Sequence, residues 1–329
     1  MYALLLAAAM HTAVTVETLR STGGLPAHLA GAFEELTTCQ QSPDGAYYVF
    51  DRRSHAVFSI PRGADSSRRI VQIGTEPGRI LDPSAFDLAP DGSFVVADAP
   101  GGRERVQLFL AGGSNVGGFS LPGRAAPRIM FGSLVLSGVG SLEYTGRTIL
   151  MSQPETGALV TEYSLHGSPL RTFGSLRRTG HEGDRDVHLA LNAGLTVQIP
   201  EGGYYFVFQA GVPMFRKYDQ VGTLVFERHV EGTELDAFVR ALPGSWPRRR
   251  GPGGEFPVVA PTVRAAGADG DGNLWIALMV PYTYVYDSSG DKRRTVQFRA
   301  AGIIMPTSLF FTSDRRLLVT PGCYAFSTR

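Results

Sequence analysis

One short motif recurs along the chain and limits its fold more than any other feature. A polar turn of the Asp-Gly kind leads into a strongly apolar strand that ends on a polar residue. Ser42 to Asp51 (SPDGAYYVFD) and Ala89 to Asp98 (APDGSFVVAD) are the clearest copies. Asp271 to Leu278 (DGNLWIAL) and Ser313 to Thr320 (SDRRLLVT) fit the same template, and Tyr144 to Ser152 (YTGRTILMS) and Pro200 to Gln209 (PEGGYYFVFQ) are weaker copies. Tight hairpins favour Asp or Asn followed by Gly because their central residues must tolerate positive φ. With Gly45, Gly92, Gly146, Gly202, Gly272 and Arg315 as markers, the intervals are 47, 54, 56, 70 and 43 residues. A four-stranded antiparallel unit with its connections takes about 40 to 50 residues, so each interval holds one unit and the longer ones hold inserted loops.

The remaining strands repeat as well. His55 to Ile60, Arg105 to Leu110, Ala158 to Leu165, Pro213 to Asp219 and Thr283 to Asp287 read as third strands. Arg69 to Ile73, Val116 to Leu121, Leu170 to Phe173, Leu224 to His229 and Thr295 to Arg299 read as fourth strands. In the last copy Cys323 to Ser327 is the third strand and no fourth follows. An open edge there would invite aggregation. The β-branched segment Val14 to Leu19 is therefore expected to supply the missing strand, with Ser21 to Phe33 as the connector into the first complete unit. The expected architecture is all-β: a six-bladed β-propeller with four antiparallel strands per blade, the ring closed by the N-terminal strand. Residues 13–329 form one domain, with top-face insertions at 174–192 and 232–261, and residues 1–12 form a short leader.

Composition narrows the classes of function. The chain carries 31 Lys and Arg against 30 Asp and Glu, so there is no basic excess to favour nucleic acid. Hydrophobic residues at 43% and aromatics at 10% indicate an ordered domain, and no apolar run outside the N-terminus approaches the roughly 20 residues of a membrane span. Tyr2 to Met10 (YALLLAAAM), with Ala7-Ala8-Ala9 as a small-residue cleavage site, has the form of a minimal signal peptide, although no Lys or Arg precedes it. A periplasmic or secreted monomer is expected, with the cytoplasm as the alternative. Two cysteines cannot make a disulfide scaffold. Cys39 reads as a buried thiol in a first strand, but the first and last units are neighbours in a closed ring, so a Cys39–Cys323 bridge stands as the alternative.

The DG-x-φ-φ-φ-x-D and DGNLWI-type turns resemble those of NHL-repeat six-bladed β-propellers, and in particular the bacterial secreted or periplasmic members, from Val14 to Arg329. The resemblance implies the fold and leaves the chemistry open, since that broad group includes lactonases, lyases, arylesterase-like hydrolases and interaction modules. Gluconolactonase-like propellers hold a divalent ion through a Glu near the first blade, where this chain has Glu34 and Glu35. The companion Asn is missing: there are only three asparagines, and Asn192 lies in a connector. The Cys and His placements also differ from the metal site of a peptidylamidoglycolate-lyase-like propeller.

Candidate site residues fall on one face of such a ring, where fourth-to-first connectors and second-to-third hairpins surround the channel mouth. The insertion from Arg177 to His188 gathers His181, His188, Asp184 and Asp186, a donor set suited to zinc or a similar ion, beside Arg177 and Arg178, which suit an anionic ligand. A solvated, self-paired loop is the alternative. In the second insertion Glu234 to Leu242 is predicted to be a helix capped by Thr233, followed by the basic loop Ser245 to Gly251, either a lid or a surface loop. The ends of the second strands place Asp51, Asp98, Ser152 and Gln209 equivalently, followed by Arg52, Arg53, Gln153 and Tyr282. Asp51 and Asp98 could equally bind neighbouring backbone N–H groups. No Gly-x-Ser-x-Gly elbow, His-Glu-x-x-His helix or phosphate-binding loop is present. Two functions remain. One is a module binding a small molecule or protein at the top face through Arg52, Arg53, Gln153, Arg177, Arg178, Gln209 and Tyr282. The other is a metal-assisted hydrolase, lactonase or lyase with calcium or zinc held by residues drawn from Glu35, Asp51, Asp98, His181, Asp184, Asp186 and His188.

Overall fold

Five of the six copies of the repeated turn fold in the same way, and the copy at Tyr144 to Ser152 instead closes with Thr145 N–H on the Thr148 carbonyl. In the first, the Ser42 N–H donates to the Ala46 carbonyl and Gly45 N–H to Ser42, and the same pair of bonds recurs at Ala89 to Ser93, Asp269 to Asn273 and Thr312 to Arg316. The glycine position takes positive φ throughout, from 78° at Gly272 to 105° at Gly202. In the last copy that position is Arg315, held at φ 63°. The computed structural model describes residues 15–123, 127–131, 134–137, 139–251 and 254–328. The proposed leader and Val14 lie outside them.

The second strands are the best buried elements. Tyr47–Asp51, Phe94–Asp98, Thr148–Ser152, Tyr204–Phe208, Leu274–Leu278 and Arg316–Thr320 are buried at every position after the first. Aromatic and β-branched residues covered on both faces produce such runs. Three four-stranded antiparallel sheets, a five-stranded sheet and an eight-stranded sheet result among the described residues, besides two separate hairpins. The five-stranded sheet runs from Leu36–Gln41 to Arg68–Ile73 and adds the short strand Arg79–Ile80 in parallel. Apolar cores lie between consecutive sheets: Phe50, Val57, Phe86, Val96 and Phe109 pack in one, and Val207, Phe215, Val263, Ile276 and Tyr286 in another.

The first strands line the middle. Leu36–Gln41, Ala85–Leu88, Leu142–Tyr144, Gly194–Gln198, Val263–Ala268 and Ser308–Phe311 contact one another in chain order, and the last returns to the first. Side chains knit this inner ring. Leu88 N–H donates to the Gln40 Oε1 atom (2.7 Å), Tyr144 N–H to Asp87 Oδ2 (2.6 Å) and Thr196 N–H to Ser141 Oγ (3.4 Å).

Closure differs from expectation in register. The N-terminal strand is Val16–Gly24, and only Ser21 to Gly24 pair antiparallel with Tyr324–Ser327. Val16 to Arg20 run parallel to Lys292–Arg299 of the preceding unit, so the segment nominated from β-branched content seals a different edge. Glu17 fixes this half through Arg294 at 2.7 and 2.8 Å. One strand thus covers two edges and joins the last two units into the eight-stranded sheet. Gly24 sits where the chain crosses the Cys323 carbonyl; an added Cβ would lie 2.2 Å from that oxygen, with φ at 120°. Cys39 and Cys323 form a disulfide beside this crossing, with Cα atoms 5.7 Å apart, which resolves the two sequence alternatives in favour of the bridge.

Among the described residues three short α-helices occur in the connectors: α1 (Ala27–Ala30), α2 (Arg185–Leu191) and α3 (Thr233–Arg240). α3 starts one residue earlier than expected, with Gly232 rather than Thr233 at the N-cap and no side-chain cap. It does not lie over the channel as a lid: Leu235 is buried in the core between the fourth unit and Tyr284, and Glu234 accepts from the Tyr284 hydroxyl (2.7 Å). The sequence reading also missed two hairpins, Pro127–Phe131 with Leu134–Ser137 and Arg248–Gly251 with Gly254–Pro257. Ile129 from the first packs with Val187 and Leu191 of α2 and with Val259, so three connectors share one small apolar cluster.

Cys39→Ala with Cys323→Ala is expected to lower unfolding free energy by about 2 to 4 kcal/mol, measured by denaturant titration against the oxidised protein. Arg315→Gly removes a side chain from the left-handed region and is expected to stabilise by about 0.5 to 1 kcal/mol in the same measurement, whereas Gly24→Ala should destabilise by at least about 2 kcal/mol.

Candidate functional site

The inner strands enclose a central cavity of about 1180 Å³. Alternation along each first strand sends some residues into the inter-sheet cores and others toward this space. Polar ones in its wall include Gln40, Asp87, Glu143, Thr196, Gln198 and Arg264. Asp87 is hydrogen-bonded at both oxygens, to Gln40 Nε2 (2.8 Å) and to Tyr144 N–H. Glu143, on the next inner strand, accepts from the Gln198 N–H. Burial pushes the Asp87 carboxyl up to about 6 against the pull of those hydrogen bonds. Burial, reinforced by the neighbouring Asp87 charge, holds Glu143 well above the usual carboxylate range. Burial and mutual repulsion thus both favour a proton on this pair of neighbouring carboxyls. Burial also holds Arg264 below its ordinary value.

The top-face candidates are dispersed. Asp51 accepts from the N–H groups of Glu34 (2.9 Å), Glu35 (3.1 Å) and Ser54 (3.1 Å). Asp98 accepts from Leu81 N–H (3.0 Å) and takes the Arg105 guanidinium at both oxygens. Both tie a connector to its own sheet. Glu35 and Arg52 pair with each other in the cavity wall, while Arg53 stands in solvent 3.7 Å from Glu34. Gln153 accepts from the Tyr163 hydroxyl (2.7 Å), and Tyr282 packs against the core of the fifth unit.

In the first insertion Asp184 caps α2 and takes Arg248 at 2.7 Å on each oxygen, with Asp186 3.7 Å from the same guanidinium. His188 Nδ1 meets Thr179 Oγ1 at 2.8 Å, and His181 N–H donates to the same hydroxyl. Arg178 is exposed. Arg177 turns inward, donates to the carbonyls of Val212 (2.9 Å), Leu191 (2.8 Å) and Ala210, and lies 4.3 Å from the Phe208 ring centroid. Burial lowers it to about 10. Among the described residues no three His, Cys, Asp or Glu side chains are grouped to hold a metal ion.

Of the sequence candidates, Glu35, Arg52 and Gln209 reach the cavity. Gln209 departs from the repeat. At equivalent positions Asp51, Asp98 and Ser152 accept a connector N–H through the side chain, whereas Gln209 receives Thr262 N–H (2.7 Å) and Val263 N–H (3.1 Å) on its main-chain carbonyl. Its side chain is left to line the cavity beside Ser141, although the residue is only 4% exposed. Asp87, Glu143 and Thr196 lie on first strands, whereas the sequence candidates lie on connectors and at the ends of second strands. The available signal was a carboxylate inside an apolar first strand, as in Ala85-Phe86-Asp87-Leu88 and Ser141-Leu142-Glu143-Tyr144.

Sheets set around a channel walled by their first strands define a β-propeller. Solved propellers agree. The chain is similar to a gluconolactonase from Xanthomonas campestris (14% identity, TM-score 0.52, covering 89% of this chain and 86% of that one). It is likewise similar to virginiamycin B lyase from Staphylococcus aureus (10% identity, TM-score 0.51, 86% and 76%) and to the WD40 propeller domain of Doa1 (10% identity, TM-score 0.50, 88% and 78%). At such identities the likeness concerns fold. No protein-family model and no curated protein matches the sequence. No helix among the described residues is long and apolar enough to cross a membrane.

Both carboxyls bind protons more tightly in the folded than in the unfolded chain, so stability falls as pH rises through and above about 6. Glu143→Gln keeps an acceptor for Gln198 N–H without the charge. It is expected to flatten stability between pH 5 and 8 and to gain at least about 1 kcal/mol at pH 8, read by urea titration at both values. Arg177→Met should cost about 2 to 3 kcal/mol at either pH through three lost carbonyl contacts.

Proposed function

We propose that the chain is a six-bladed β-propeller that binds a small polar molecule inside its central channel. In this reading the eight-stranded sheet is two blades bridged by Val16–Gly24, which brings the blade number to the number of sequence repeats. The observation that carries the function is the wall of the cavity: polar side chains from successive inner strands converge on one enclosed space, as ligand sites require. Arg177, Arg248, Asp184 and Asp186 of the top-face insertions spend their contacts on carbonyls and on each other, so they support a structural cap better than a binding surface.

The metal-assisted hydrolase, lactonase or lyase reading has one observation in its favour, Glu35 at the cavity wall, where Arg52 engages its carboxylate. Calcium and zinc titrations that leave the melting temperature unchanged would count against it. The Cys39–Cys323 disulfide supports an oxidising compartment and therefore export.

A thermal-shift screen of sugars, amino acids and carboxylic acids tests the channel. At least one compound is expected to raise the melting temperature of the natural chain and to lose its effect in Gln198→Trp, which fills the channel from an exposed wall position. Equal shifts in both proteins, or none in either, would overturn the reading.

A further inference from the structure

We infer that the channel wall made by Ala85–Leu88, Leu142–Tyr144 and Gly194–Gln198 is a receptor for a primary ammonium group, held by the Asp87 and Glu143 carboxylates and the Thr196 hydroxyl. The inference rests on the ligand-channel reading above and names the chemistry of its ligand. An ammonium group carries three N–H donors and is satisfied by three converging acceptors. Asp87 and Glu143 lie on adjacent inner strands, close enough for one charge to act on the other.

The third oxygen is an independent observation. Thr196 is 3% exposed, lines the cavity, and its hydroxyl has no hydrogen-bond partner. Two contacts fix the position of its strand. The Thr196 N–H donates to Ser141 Oγ, and the Gln198 N–H two residues on donates to Glu143, so Thr196 belongs to the strand bonded along the one that carries Glu143. Buried hydroxyls are rarely left unpaired, and a bound donor would satisfy this one.

A divalent ion fits less well. Calcium takes six to eight oxygens, whereas both Asp87 oxygens and the Glu143 carboxylate already accept protein N–H groups. A neutral ligand would leave two adjacent carboxyls sharing a proton; a cation allows both to ionise, and binding then releases that proton. The other charged groups facing the channel are Arg264, Glu34 beside Arg53, the Glu35–Arg52 pair, and Arg315 with Asp271. Arg264 belongs to Val263–Ala268, which packs between Gly194–Gln198 and Ser308–Phe311.

Calorimetry and thermal shift with butylamine, cadaverine and the free amino acids, each against its matched alcohol or hydroxy acid, test the inference. At least one amine should bind while its alcohol does not, with affinity rising up to about tenfold from pH 6 to 7 as the released proton requires. Glu143→Gln and Thr196→Val, each confirmed folded by circular dichroism, should weaken that amine at least tenfold. Equal binding of amine and alcohol, pH-independent binding, or unchanged affinity in both variants would overturn the inference, as would calcium binding lost in Glu143→Gln. If no amine binds while a neutral fragment still loses its effect in Gln198→Trp, the ammonium site fails and the ligand channel stands. If nothing binds, both fail.

Discussion

Closure of the ring through the N-terminal strand is the constraint on which the rest of the molecule depends. Each sheet is covered by its neighbours, and the inner strands form a wall only because the last of them meets the first. Without Val16–Gly24, Lys292–Arg299 and Tyr324–Ser327 would present unpaired backbone, a state that β-proteins avoid. The strand supplies two edges in two orientations, and a disulfide pins the adjoining inner strand to the end of the chain. A channel with a fixed radius follows, and with it fixed distances among groups that belong to different repeats.

Inside that ring, polar side chains perform two kinds of work. Gln40, Asp87 and Glu143 each accept a backbone N–H from the next inner strand, substituting side-chain bonds for the ladder that radial packing cannot provide. A neutral acceptor would suffice, and Gln40 shows it. Two carboxylates side by side are costlier than two amides in a poorly hydrated space, because burial opposes ionisation of each and the charge of one opposes the other. Strongly perturbed titratable groups in a cavity are candidates for function, and structural networks perturb titration as well.

Much of the architecture was legible in the repeat. The Asp-Gly turns placed every second strand, and even Arg315, which breaks the glycine pattern, adopts the backbone that the pattern demands. Strand pairing was less legible where sequence signals are weak. β-branched content drew attention to Val14 through Leu19, but the partner of an edge strand is set by which edges are open, a property of the assembled ring. The two hairpins at 127–137 and 248–257 lack Asp-Gly turns, and they are held by contacts with α2 rather than by local propensity. The site was hidden for a related reason. A charged loop such as Arg177 to His188 is conspicuous in sequence but pairs with itself and with main-chain carbonyls. Asp87 and Glu143 are single letters in apolar strands, and only the arrangement of the strands brings them together.

The strand Val16–Gly24 also imposes an order of events. It precedes every other described strand, yet both of its partners lie beyond residue 291, so it has nothing to pair with until those residues have been made. Its contacts span almost the full length of the sequence, the kind of pairing that makes β-folds slow. The cavity wall likewise stays open until Ser308–Phe311 has been made and can meet Leu36–Gln41.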